Sequence, residues 1–454
     1  PVFDTVGTAS EIYNASGGIS EFAMESYFGR INLSYLDRYI LNVTMRSDGS
    51  SRFAPSDRYG YFPSVSLGWN VSKESFWKFP QTDLKFRLSY GKTGNQDGIG
   101  NYAWQPLMSG GINYGNNSGM AVTSMGNNKL TWETADQYDF GFDLGFWNGK
   151  LNMIADIYLK NTNNLLYSMP LHGTSGFTSI TSNIGSMRNY GVEFSINGHL
   201  NIGKVNWTSS FNISHNKNKL TKLLGDDLLP IGSNRALKVG EELGAFYLFQ
   251  MDGLYQYDGE VPQPLYDLGV RAGDVKYHDA DNNGIINDND RVLTGSSNPD
   301  FFGGWNNTFK YKGFQLDVFF TYMYGNDVYA EWAVTATRPG YRMAITEDVA
   351  KNRWTAPGSS DKYPRAVNTL CGHNSKNSTR FLEDGSFIRL RSLTFSYTFP
   401  QVMLQKICLK GLRLYVQGDN LLLFSKYSGW DPEVSKNMDP QYFGVDLYLS
   451  LIHI

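Results

Sequence analysis

Along residues 61–72, YFPSVSLGWNVS, apolar side chains occupy every second position: Val65, Leu67, Trp69 and Val71. Ser64, Ser66, Gly68, Asn70 and Ser72 lie between them. Strict alternation over this length predicts a β-strand with one apolar and one polar face. The pattern returns in adjacent pairs. Ile31, Leu33 and Tyr35 share a face opposite Arg30, Asn32 and Ser34. After a turn at Leu36-Asp37-Arg38, Tyr39, Leu41, Val43 and Met45 oppose Asn42, Thr44 and Arg46. Leu84, Phe86, Leu88 and Tyr90 oppose Lys85, Arg87 and Ser89. Tyr138 to Phe146 and Leu151 to Leu159 follow the same rule around an Asn148-Gly149 hairpin signal. Further strands are predicted at 190–200, 204–215, 301–311, 314–324, 387–399 and 411–422, roughly twelve in all. A change of phase near Arg391-Ser392 predicts a β-bulge.

The connections alternate between short links and long ones. The long ones, 47–60, 96–131, 161–187, 217–300 and 325–386, are rich in Gly, Asn, Asp and Ser. Plain turns at one rim and large loops at the other are the signature of an up-and-down barrel. A soluble sandwich also alternates, but its turns recur at short spacing and its apolar face is a dry core. Here the second face carries Arg, Lys, Asp or Asn on nearly every strand. Unpaired charges cannot fill a dry core, because each costs several kcal/mol to bury. They can line a water-filled bore, which puts lipid on the Val65–Val71 side and water on the serine side.

Composition narrows the choice further. Aromatic residues make up 15% of the 454 residues, charged residues only 18%, and the formal net charge is -3. Nothing marks a nucleic-acid partner. No apolar run is long enough for a transmembrane helix. Two cysteines, Cys371 and Cys408, are too few for a disulfide framework and lack metal-site spacing. The N-terminus, PVFDTVGTASEIYNAS, has no initiating Met and no signal-peptide pattern, so a targeting signal is expected upstream.

Several motifs go beyond pattern. RSDGSSRFAPSDRYGYFPSVSLGWNVS (46–72), RLSYGKTGNQ (87–96), NLLYSMPLHGTSGF (164–177), SNIGSMRNYGVEFSING (182–198), FIRLRSLTFSYTFP (387–400) and LRLYVQGDNLLLFSKYSGWDPEV (412–434) resemble the SusC/RagA family of TonB-dependent outer-membrane transporters. The resemblance implies an all-β fold: an up-and-down antiparallel transmembrane β-barrel, here partial, with about 12 strands of a 22-stranded barrel. Residues 1–448 would be the C-terminal part of that barrel, without the plug domain, and residues 449–454, in the ending DLYLSLIHI, a non-native tail. It further implies import of oligosaccharides or peptides across the outer membrane of a Gram-negative bacterium. The implied partners are a SusD-like surface lipoprotein, outer-membrane lipid, and the TonB complex acting through the missing N-terminal region. The rival readings are a siderophore or cobalamin receptor, a passive porin, and a soluble lectin-like β-protein.

One local motif carries chemistry of its own. In DADNNGIINDND (279–290), Asp279, Asp281, Asn283, the Ile285 carbonyl, Asn287 and Asp290 stand at positions 1, 3, 5, 7, 9 and 12 of an EF-hand-like loop, with Gly284 at 6. This spacing predicts a weak Ca²⁺ site that stiffens a loop. Asp290 in place of Glu shortens the reach of the last ligand, and the alternative is a plain Asx-rich turn. The six histidines show no paired metal spacing. No nucleophile, phosphate-loop or dinucleotide motif occurs, so no enzyme is expected. Ten loop aromatics, Tyr102, Trp104, Tyr114, Trp132, Tyr255, Tyr257, Tyr266, Trp332, Tyr341 and Trp354, suit either stacking on a solute or packing within the loops.

Overall fold

The computed structural model describes residues 19–112, 115, 117, 119–225, 228–340, 344–367, 372–405, 409–436 and 443–447. Twelve strands form one sheet. They are β1 Met24–Tyr35, β2 Tyr39–Ser50, β3 Tyr59–Asn70, β4 Thr82–Asn95, β5 Glu133–Phe146 and β6 Leu151–Pro170. After them come β7 Ser179–Ile202, β8 Val205–Leu223, β9 Phe301–Tyr311, β10 Phe314–Tyr324, β11 Phe387–Thr398 and β12 Arg413–Ser425. Each is hydrogen-bonded to its neighbour in chain order, an up-and-down meander. The ladders β1–β2–β3 and β8 through β12 are antiparallel throughout. The all-β barrel-wall architecture expected from the alternation is the one found. Among the described residues no helix is long and apolar enough to cross a membrane.

The tight turns have the backbone that a two-stranded ribbon needs. Leu36 and Asp37, Asn148 and Gly149, and Lys312 and Gly313 all take positive φ, which matches the right-handed twist of the strands they join. The bulge also falls where the phase change put it. Phe319 pairs with Ser392 and Phe320 with Leu390, so Arg391 is the extra residue. Two expectations need correction. Residues 161–187 are mostly strand, because β6 and β7 run for 20 and 24 residues. Ladder bonds need only backbone N–H and C=O, and these continue through an Asn-rich stretch that has no apolar alternation to reveal it. β3 ends at Asn70, and Val71 turns into a 3-10 turn and is buried instead of continuing the outward row.

By packing, the chain divides into two units. The first comprises Pro1–Trp69, Arg87–Asp139 and Lys160–Met187. Its loop core is Phe53, Phe62, Ile99, Leu130 and Trp132, with the Trp132 indole donating to the Arg58 carbonyl at 2.9 Å.

The second comprises Asn70–Phe86, Phe140–Leu159 and Arg188–Ile454. Its long links form a folded layer of their own. One sheet of that layer joins Leu228–Ile231, Arg235–Lys238, Ala245–Phe249 and Arg291–Ser296. Another places Asp327–Ala330 between Leu382–Asp384 and Val445–Asp446. Phe246, Leu248, Val328, Tyr329, Phe381 and Val445 make one core, and Phe249, Leu254, Tyr255, Leu265, Val275 and Tyr277 a second. Full burial of side chains of this size is worth about 1.5–3 kcal/mol each, enough to hold the loops in one arrangement. Buried Asp274 ties distant segments together: Arg365 binds both its oxygens at 2.9 Å, and Asn374 donates to it at 2.8 Å.

Candidate functional site

The two faces of the sheet differ as the sequence required. On the apolar face Val65, Leu67 and Trp69 are 37%, 49% and 38% exposed. Cross-strand register lines them up with like residues. Ile31, Val43 and Val65 form one row, Leu33, Leu41 and Leu67 the next, and Tyr35, Tyr39 and Trp69 the row beside the turn. The second unit repeats the arrangement near its own tight turn, where Tyr311, Phe314 and Tyr397 stand in register. Aliphatic rows that give way to an aromatic row at the short-turn end are the surface that a hydrocarbon slab and its interface select.

The polar face of the first unit lines a groove of about 490 Å³. Arg30, Thr44 and Ser64 form one row and Asn32, Asn42 and Ser66 the next, joined by Ser89, Thr93 and Gln137. Arg30 Nε donates to Thr44 Oγ1 at 3.2 Å, and Asn42 Nδ2 donates to Ser66 Oγ at 3.1 Å. Alternation puts small hydroxyl side chains here because apolar bulk sits on the other face, and Gly91 beside Ser64 adds depth. Among the described residues that line the groove, Arg30 is the one ion and there is no carboxylate. Such a wall offers donors and acceptors without a strong field. In the second unit the same face carries Asp317, held by Thr308 at 2.7 Å and by Gln315, and Arg413, which donates to Ser396 at 3.0 Å.

The Asp/Asn loop closes as its spacing demands. Carboxylate oxygens of Asp279, Asp281 and Asp290 lie within 4.8 Å of one another. Asn282 and Gly284 take the positive φ that makes the sharp turn. Asn283 N and Gly284 N donate to the two oxygens of Asp279, at 3.1 and 2.7 Å. Desolvation alone would raise the Asp279 carboxyl, but these N–H groups outweigh it and hold the acid below the usual carboxylate range. Asp290 is fully buried, and its oxygens accept from Ala280 N at 2.9 Å and Asn287 N at 2.8 Å. Asn283 Oδ1 accepts from Ile285 N, and Asn287 Oδ1 caps the following turn. Oxygen donors alone in a tight loop fit a hard cation, since each carboxylate or amide oxygen keeps a second lone pair for it.

The loop aromatics divide. Trp132 and Tyr255 are buried, Tyr266 and Trp354 pack on the second loop core, and Trp332 packs on the first. Tyr257 remains exposed. Tyr114, Tyr341, both cysteines and the tail 449–454 lie outside the described residues. Trp430, outside the predicted loop set, stands 78% exposed in the segment after β12. Its signal was present in the WDPEV motif, in a stretch with no alternation to interpret.

Over residues 3–421 the chain matches the family model described as TonB dependent receptor-like, beta-barrel. TonB-dependent receptor P3 of Formosa agariphila is 35% identical over 441 residues, which cover 93% of this chain and 43% of that relative. TonB-dependent receptor SusC of Bacteroides thetaiotaomicron is 32% identical over 445 residues, covering 91% of this chain and 42% of SusC. The structure of the RagAB peptide transporter superposes with a TM-score of 0.83 at 26% identity, covering 97% of this chain and 47% of that one. The chain thus spans somewhat under half the length of the curated relatives it matches.

Proposed function

Because the chain belongs to the TonB dependent receptor-like β-barrel family, a family of outer-membrane transporters and receptors of Gram-negative bacteria, we propose that it forms wall, bore lining and capture loops of an energised importer of oligosaccharides. Import would involve a SusD-like surface lipoprotein over the loops. The TonB complex would act through parts of the relatives that this chain does not span. The observation that carries the substrate class is the polar groove of the first unit. Its hydroxyls and amides match a neutral polyhydroxylated solute, and its one cation, Arg30, is already turned onto Thr44. A peptide, the cargo named for RagAB, would bring two charged termini that this wall does not meet.

Uptake by cells carrying the full-length transporter tests this reading. Labelled neutral oligosaccharides should accumulate only while TonB is intact. Accumulation of peptides alone, or uptake that persists without TonB, would sink it.

The loop at 279–290 is proposed to take Ca²⁺ through Asp279, Asp281, Asn283, the Ile285 carbonyl, Asn287 and Asp290, at an affinity in the range of about 10⁻⁴–10⁻³ M. The ion would neutralise three converging carboxylates and stiffen the loop layer. Calorimetric titration of the full-length protein with Ca²⁺ should give a site that Asp281→Asn weakens. Absence of a heat signal, together with unchanged loop proteolysis in chelator, would remove the proposal.

A further inference from the structure

After β12 the chain folds back as a strap, residues 426–436, against the polar face of β11. Ser428 N and Oγ donate to the two oxygens of Glu383, at 2.8 and 2.7 Å. Tyr427 is buried, and its hydroxyl donates to Asp446 at 2.7 Å. Arg389, in register with Thr321, reaches Asp431 and lies 3.0 Å from Glu433. The bulged Arg391 holds the same Glu433 carboxylate at 3.2 Å. The two arginines stand two residues apart, the spacing that puts side chains on one face of a strand, and both serve one carboxylate. Lys436 closes the strap on Glu331 at 2.9 Å. Trp430 stands between these anchors with most of its surface left uncovered by the described residues.

A lone exposed aromatic on a mobile loop needs no explanation. Here the backbone on both sides is fixed by side chains of the sheet and the loop layer, so the ring keeps only its own two torsions. A rigidly presented indole loses little entropy when something covers it. The cover is not acyl chain, because the strap's anchors on β11 share the face of Asp317 and Gln315, opposite the aliphatic rows. We propose that Trp430 is a stacking platform for a sugar ring, with the C–H face of a pyranose on the indole and its hydroxyls within reach of the ionic side chains beside it. This rests on the oligosaccharide reading above and adds a residue that holds a ring.

The test uses the full-length transporter in detergent, titrated separately with malto-, xylo- and manno-oligosaccharides and with short peptides. Heat-modifiable gel migration reports the intact barrel. Trp430→Ala should weaken binding of the preferred oligosaccharide roughly tenfold, as loss of one aromatic contact does, while Trp430→Phe stays within about threefold and both keep wild-type heat modifiability. Unchanged affinity in Trp430→Ala overturns the platform. So does a loss of heat modifiability in that variant, which would make Trp430 a packing residue. Wild-type protein that binds peptides and no oligosaccharide would refute the substrate class itself, a result distinct from either.

Discussion

The indole N–H of Trp207 donates to the side-chain oxygen of Asn307 at 3.0 Å, diagonally across β8 and β9 on the apolar face of the sheet. A second indole repeats the device, with Trp305 Nε1 donating to Ser209 Oγ at 3.0 Å. Ser209 and Asn307 are register partners, so two polar side chains sit together among Trp207, Trp305 and Phe309. In hydrocarbon no water is at hand to satisfy an amide. The two tryptophans supply the missing partners and screen the pair.

Removing one partner should therefore cost more than removing both. Trp207→Phe is expected to lower barrel stability by about 1–3 kcal/mol, because it leaves the Asn307 oxygen unsatisfied. Adding Asn307→Leu should recover most of that loss. Denaturant unfolding of the full-length protein in vesicles, read as a double-mutant cycle, measures the coupling. Simple additivity would mean that the amide has found another partner.

The assignment of faces makes an asymmetric prediction from adjacent residues. Leu67→Arg puts a guanidinium into the row of Leu33 and Leu41 and should destabilise the full-length barrel by about 2–4 kcal/mol if that row lies near the midplane. Ser66→Arg, one residue earlier, points into the groove and should leave folding unchanged. Folding yield into vesicles separates the two. The reverse order would put water on the tryptophan side.

Acid should loosen the loop layer through His373. The ring is buried and its Nε2–H donates to the Val275 carbonyl at 2.7 Å, with Asp274 and Lys376 the charged groups nearby. Burial, the largest influence, pushes its pKa below the ordinary value near 6.5. The unfolded chain then takes up a proton that the folded one refuses. Stability is full above the ordinary value, falls as pH drops through it, and levels off once the folded ring protonates. Proteolysis of the loop layer should accelerate between about pH 7 and 5. His373→Gln, which keeps a donor for Val275, should flatten that rise. An unchanged profile would assign the acid sensitivity to the carboxylates.

Local pattern revealed the wall and hid the loops, for a physical reason. A strand that separates lipid from water must alternate at each step, so Val65, Leu67 and Trp69 declared their side before any contact was known. The bulge at Arg391 was visible because an extra residue breaks that phase. Strand length at 161–187 was not visible, since backbone pairing there continues without an apolar face to maintain. The burial of Trp132 was also beyond reach, because its partners Phe53, Arg58 and Phe62 lie roughly seventy residues upstream. Within the candidate metal loop, spacing alone placed Asp279, Asp281 and Asp290 together, since Gly284 and Asn282 fold the turn without outside help. Trp430 owes its setting to Arg389 and Glu383, about forty residues upstream, and no short window contains that relation.

The grip of Asp274 on Arg365 and Asn374 means that these loop segments of the second unit yield together. Parting any one of them strands a buried carboxylate without its partners, which costs several kcal/mol, so the segments cannot open one at a time.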